Sequence, residues 1–412
     1  MAAMAIVITH VTVIDGTGAA PKPDQTVILE GGRIRSTGNG RVPKDARVID
    51  GTGRYLIPGL WDMHVHLLAK PEKAFPKLLA SGITGIRNMH LEAENALGAA
   101  VKLRREVEYG AVEGPRIVTN GPMIDGPVPV WSGSVTAGDA ASARRAVRTM
   151  NEGGADFVKV YDFLPRDAYF ALAAEAGKLH LPVAGHVPVR VTAEEAARVG
   201  QKSIEHLSGI FESCTGDGSV DRDMKQAANL WPISRRESAG RMHALLLHAA
   251  ETYDPRICAP LYRLFAERKT WQCPTLVALG EVREAGLRVV REMHAAGVPL
   301  LAGTDAGGSA NVEPGESLHG ELELLVEAGL TPMEALQAAT RNAAEFLGRN
   351  DIGTVEKGKL ADVVLLEGNP LEDIRNTRRV AAVILRGRII DTASSEQSSA
   401  TPGAGIQQGP RR

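Results

Sequence analysis

Eight apolar runs of strand length occupy positions 56–63, 82–88, 116–120, 157–161, 182–186, 203–206, 270–275 and 299–304, separated by stretches rich in Ala, Glu, Lys and Arg with helical character. Such alternation of strand and helix is the pattern of a parallel sheet, because parallel neighbours need a crossover connection. Eight repeats predict an α/β fold, a (β/α)8 TIM barrel, whose catalytic groups belong at the C-terminal ends of the strands.

The flanks follow a different grammar. From 5 to 50, short β-branched runs alternate with turn pairs such as Asp15-Gly16 and Glu30-Gly31-Gly32, as in a small antiparallel layer. Strand-like runs return at 362–366, 381–385 and 388–391, too few to fold alone. Both chain ends are therefore expected to build one small β-sandwich, from 1–55 and 349–391, beside a barrel spanning 56–348. The tail at 392–412, mostly Ser, Gln, Pro and Gly, is expected to be disordered, since it holds too little apolar surface to offset its ordering entropy. Between the sixth and seventh runs lies an insertion, 207–269, far longer than an ordinary βα connection and expected to act as a lid.

Composition removes several classes of function. With 47 basic against 49 acidic side chains and only 4% aromatics, the chain has neither a charge surplus for a phosphate backbone nor stacking platforms for bases. The longest apolar runs are strand-sized, so no membrane span is expected; a small-molecule substrate and homo-oligomerisation stay open. Cys214, Cys258 and Cys273 are widely spaced without a C-x-x-C pair, which argues against disulfides and a thiolate zinc site, and in favour of buried thiols in a reducing compartment. The start lacks the basic and cleavable features of a signal peptide, so the expected location is cytoplasmic, with earlier removal of a leader left open.

The residues that carry chemistry sit where the strands end. His64 and His66 form an H-x-H pair whose side chains share one face, because side chains alternate along a strand. Alone, the pair reads more readily as packed core histidines. Lys159 lies between Val158 and Val160, where its charge is costly unless something neutralises it. His186, His206 and Asp305 end later runs, and imidazoles converging with a carboxylate suit zinc or another borderline divalent ion.

With Pro58-Gly-Leu-Trp-Asp-Met-His-Val-His66, Gly303-Thr-Asp305 and Gly358-Lys-Leu-Ala-Asp-Val-Val364 added to these positions, the chain resembles the amidohydrolase superfamily over about residues 5–391. Within it the layout is most similar to the imidazolonepropionase-like branch that contains prolidase-type dipeptidases. The resemblance implies two divalent metal ions, zinc first, although manganese, cobalt or iron suit the same ligands. It implies that His64, His66 and Asp305 hold the buried ion, that His186 and His206 hold the exposed one, and that a carbamylated Lys159 bridges both. A hydroxide bridging the ions would attack a C–N bond, as in an N-acyl amino acid or dipeptide, while Asp305 moves the proton.

Further residues are read less sharply. Tyr161 shares the rim with Lys159 and is a candidate to stabilise an oxyanion, against packing under a loop. Arg87 and His90 are candidates to meet a substrate carboxylate, against a structural salt bridge, and Asp62 is a candidate to orient an imidazole. Rival functions are ester, lactone or phosphotriester hydrolysis by the same centre, a mononuclear deaminase, which in this superfamily lacks the bridging lysine, and a non-catalytic scaffold, whose relatives typically lose metal ligands.

Overall fold

The computed structural model describes residues 4–391 apart from 39, 68–70 and 94; the expected disorder of 392–412 lies outside the described residues. The chain opens with β1 (Ile6–Val13), β2 (Lys22–Glu30), β3 (Arg33–Gly38), β4 (Arg47–Asp50) and β5 (Tyr55–Pro58). β1 runs antiparallel to β2, while on its other side it pairs first with β4, from Ile6↔Arg47, and then with β5, at Thr12↔Tyr55.

The run expected as one strand at 56–63 is in fact divided. β5 stays in the terminal layer, and β6 (Leu60–Leu67) begins the barrel. Gly59 is the joint, and the reason is steric: a Cβ there would lie 2.1 Å from Thr84 Oγ1.

β6 pairs in parallel with β7 (Ile83–Leu91), and β7 with β8 (Arg116–Thr119). A second parallel sheet contains β9 (Ile124–Asp125), β10 (Val135–Thr136), β11 (Val158–Val160), β12 (Val183–Gly185), β13 (Ser203–Glu205) and β14 (Trp271–Cys273). Individual backbone hydrogen bonds carry the seams between these arcs, and no continuous ladder joins them among the described residues. On one side Asp156 N donates to Thr119 O at 2.8 Å. On the other, segment 299–305 lies between β14 and β6, through Leu301 N to Gln272 O at 2.9 Å and Met63 N to Ala302 O at 2.9 Å. The eighth expected strand thus contributes isolated bridges, Gln272↔Leu300 and Val65↔Ala306. Helices such as Arg166–Lys178 and Arg283–Ala295 bury Tyr169, Leu172, Val289 and Met293 in the main apolar core.

β15 (Val363–Leu366), β16 (Val380–Leu385) and β17 (Arg388–Ile390) return to the terminal layer, β15 antiparallel to β5 from Val363↔Pro58 to Leu366↔Tyr55. The two chain ends pair as expected, and β1, which changes partner midway, links their strands into one eight-stranded hydrogen-bonded sheet. Its own core holds Ile8, Val27, Leu29, Leu56, Val363 and Leu365. No helix among the described residues is long and apolar enough to cross a membrane.

The insertion 207–269 forms four helices, Ile210–Ser213, Val220–Ala228, Arg235–Glu251 and Pro255–Arg268. Here the cysteine expectation is corrected: Cys214 and Cys258 are bonded, with Cα atoms 5.0 Å apart across a separation of 44 residues. The chain doubles back through the longest of these helices, and Thr215 bridges Tyr253, which brings the two thiols together although their spacing in sequence hides it. The pairing also removes the cysteine argument for a reducing compartment. Cys273 is the buried free thiol, and burial pushes it well above its ordinary range. Loop closure over that separation is worth about 4 kcal/mol. Reduction or Cys258→Ser is therefore expected to lower the unfolding free energy by up to this amount and to speed amide exchange within 207–269, read by mass spectrometry.

Candidate metal centre

The alternation of β6 turns His64 and His66 inward together, with their rings stacked at 5.5 Å between centroids. Lys159 on β11 reaches them from across the barrel, its Nζ 3.4 Å from His64 Nε2 and 3.3 Å from His66 Nε2. Asp305 Oδ1 lies 3.3 and 3.2 Å from the same two nitrogens. The His206 ring sits 4.4 Å from that of His64, and His186 4.9 Å from His206, so the six expected ligand positions form one chain of neighbours. The backbone is strained where it delivers them. His206 and Asp305 adopt φ of 58° and 66°, a left-handed conformation that is uncommon outside glycine and concentrates at functional sites. Asp305 is held there by its N–H, which donates to His64 O at 2.7 Å. Gly308 keeps the approach open, since a Cβ would lie 2.4 Å from Asp305 Oδ1.

The outer nitrogens show which way the lone pairs point. His64 Nδ1 faces Glu205 Oε2 at 2.8 Å, and His186 Nδ1 faces Asp162 Oδ1 at 2.7 Å. His206 Nδ1 meets Thr275 Oγ1 at 2.7 Å, and that hydroxyl spends its own hydrogen on Pro274 O. Each Nδ1 is therefore a donor, and in the neutral ring Nε2 presents a lone pair to the centre. Burial favours the neutral ring, pushing His66 to about 4, His206 to about 3 and His64 well below its ordinary range. It also pushes Lys159 down to about 8, against the pull of Asp305 and Glu205. His186 Nε2 and Asp305 Oδ1 are buried without a hydrogen-bond partner, and ligand atoms of His64, His206 and Asp305 all lie within 4.8 Å of one another. Neutral imidazoles, a carboxylate and orphaned inward atoms fit a borderline divalent cation.

For several residues the structure decides between the readings set out for them. Arg87 is fully buried beneath the histidines, its Nη2 on Glu205 Oε2 at 2.7 Å, Nη1 on Ser203 Oγ and Nε on Met63 O. It is a structural ion pair and cannot reach a substrate carboxylate. His90 is corrected likewise, for Nδ1 accepts from Met123 N at 3.4 Å and Nε2 meets Ser132 O at 3.2 Å. Asp62 orients no imidazole; its carboxylate accepts from the backbone of His64 and Thr304 and from Thr304 Oγ1. Tyr161 does lie at the rim, its ring 4.0 Å from that of His186.

Sequence reasoning missed Glu205 and Asp162, the carboxylates that hold His64 and His186. The signal for Glu205 was present, a charge inside the run Ser203-Ile-Glu-His206, by the same logic that singled out Lys159. A cavity of about 490 Å³ opens beside His186 and His206. Asp162, Phe163 and Val187 of the barrel line one side; Glu212, Trp231 and Met242 of the insertion line the other.

Two predictions follow from this packing. Arg87→Met strands Glu205 as an unpaired buried carboxylate and is expected to lower stability by about 3–5 kcal/mol in urea denaturation. His66 and His319 are held neutral with pKa values near 4 by burial, against an ordinary 6.5 in the unfolded chain. The unfolded state thus binds more protons between those limits, so metal-free protein is expected to lose stability as pH falls from 6.5 towards 4. Denaturation midpoints measured across that window check it.

The profile of the amidohydrolase family matches residues 55–390. An ochratoxinase of Aspergillus niger is 24% identical over 385 residues, covering 80% of this chain and 73% of that protein. An imidazolonepropionase of Symbiobacterium thermophilum is 27% identical over 412 residues, covering 91% and 88% respectively. A crystal structure of a Xaa-Pro dipeptidase with methionine in its active site superposes with a TM-score of 0.72 at 21% identity, covering 94% of this chain and 100% of that one. The last likeness is one of fold.

Proposed function

The chain belongs to the amidohydrolase family and is a hydrolase, and from that premise we propose that it cleaves the C–N bond of a small amide or peptide at a binuclear metal centre. The observation that carries this reading is the cluster in which His64 and His66 meet both buried Lys159 and Asp305, with His206 beside His64 and His186 beside His206. His64, His66 and Asp305 would hold one divalent ion, His186 and His206 the one nearer the cavity, and Lys159, as a carbamate, both. Zinc is the expected ion. Bound there, such ions lower the pKa of water and polarise a carbonyl.

The chain's own groups do the rest. A lysine pushed down to about 8 is partly the free amine at neutral pH, and its nitrogen can add to carbon dioxide, lose a proton and leave a carbamate anion. Asp305, whose Oδ1 has no hydrogen-bond partner, takes the proton of the attacking water and passes it to the leaving nitrogen. Tyr161 Oη accepts from Trp131 Nε1 at 3.0 Å, which leaves its hydrogen free for the oxyanion of the tetrahedral species. Burial pushes this phenol well above its ordinary range, so it remains a donor. Segment 60–348 is the proposed catalytic unit, with 207–269 as a lid over the cavity it lines.

Metal analysis joined to a dipeptide and N-acyl amino acid panel tests the reading. The expected result is about two metal ions per chain, at most one in Lys159→Ala, and at least a thousandfold loss of amide turnover in that variant. Asp305→Asn turning over within about tenfold of wild type would remove it from proton transfer. Turnover of chromogenic esters but not dipeptides would move the reading to ester hydrolysis.

A further inference from the structure

The cavity beside His186 and His206 is walled by apolar side chains such as Val187, Met242 and the stacked pair Phe163 and Trp231, whose rings lie 4.5 Å apart. Into this wall the insertion places Glu212, on the short helix Ile210–Ser213 that follows His206 directly. Its Oε2 is closed off from solvent and has no hydrogen-bond partner. The bond between Cys214 and Cys258, two residues further on, ties this helix to the rest of the insertion.

A buried carboxylate oxygen without a donor is costly, and native structures keep few of them outside functional sites. Burial pushes Glu212 up to about 7 against a hydrogen bond from its own backbone N–H, and the neighbouring carboxylates of Asp162 and Asp221 push it further up. Those two have partners, Asp162 in His186 and Asp221 in Lys225. The charged side chains that the described residues bring to this cavity are thus three carboxylates, beside three imidazoles, and Glu212 alone among the three has an oxygen both buried and unpartnered.

We propose that Glu212 is a specificity residue that receives an ammonium group, so that the preferred substrate is an amide carrying a free amine on an apolar body. This rests on the amide-hydrolase reading above and narrows it: dipeptides with a free amino terminus and amino-acid amides fit, whereas an N-acyl amino acid carries no ammonium for Glu212. The ammonium supplies the charge that Glu212 lacks, and the aromatic pair covers the apolar part. His186 and His206 line the same cavity, so the amide can lie towards them while the amine meets Glu212.

The test is calorimetric titration of metal-loaded protein with leucinamide and with N-acetyl-leucinamide, which differ at the amine. Wild type is expected to bind leucinamide about tenfold more tightly, and Glu212→Gln to bring the ratio to about one. Should Glu212→Gln fail to fold, Glu212→Met replaces it with the same expected ratio. Equal affinities in wild type, no detectable binding of leucinamide up to roughly 10 mM, or an unchanged ratio in the variant would overturn the proposal. So would loss of metal from Glu212→Gln, which would make Glu212 a ligand. An amine preference that depends on Glu212, in a protein that cleaves no amide, would uphold the residue's role and sink the hydrolytic reading instead.

Discussion

One carboxylate oxygen, Oε2 of Glu205, underlies the architecture of the centre. It faces His64 Nδ1 at 2.8 Å and accepts from Arg87 Nη2 at 2.7 Å. Through the first contact it sets the tautomer of a candidate ligand; through the second it neutralises a guanidinium that is fully buried. Arg87 then spends its remaining donors on Met63 O of β6 and Ser203 Oγ of β13, so that strands far apart in sequence are tied beneath the histidines. A barrel interior filled by apolar chains alone would pack, but it would not hold an imidazole in a chosen orientation.

The parts legible in the sequence were those with short-range signatures. Strand-length runs, the H-x-H pair and a lysine between two valines each announce themselves within a few residues, and the structure draws His64, His66 and Lys159 together. Illegible were the relations that depend on the third dimension. Glu205 and Asp162 act on His64 and His186, 141 and 24 residues away. Cys214 meets Cys258 only because an intervening helix reverses the chain. Arg87 and His90 have the residue types of a substrate clamp, yet which partner a buried cation or ring nitrogen takes is decided by neighbours that no local pattern names.

In the proposed reading, the insertion links fold to selectivity. It follows immediately after His206, whose left-handed backbone turns the chain out of the barrel, and its helices then complete the cavity that begins at the histidines. The barrel end thus supplies groups suited to bond cleavage and the insertion supplies groups suited to choosing a substrate, a division common where loops are carried on a rigid scaffold. Relatives in one family can therefore share a centre and differ in what they cleave.

The joint at Gly59 has a mechanical consequence. β5 and β6 are separated by this single residue, one strand bonded into the terminal sheet and the other ending in His64 and His66. The terminal sheet is thereby joined to the centre by the shortest possible connection, one residue between a strand of that sheet and the strand that carries the imidazoles. The outer sheet is the frame in which the alignment of the centre is kept.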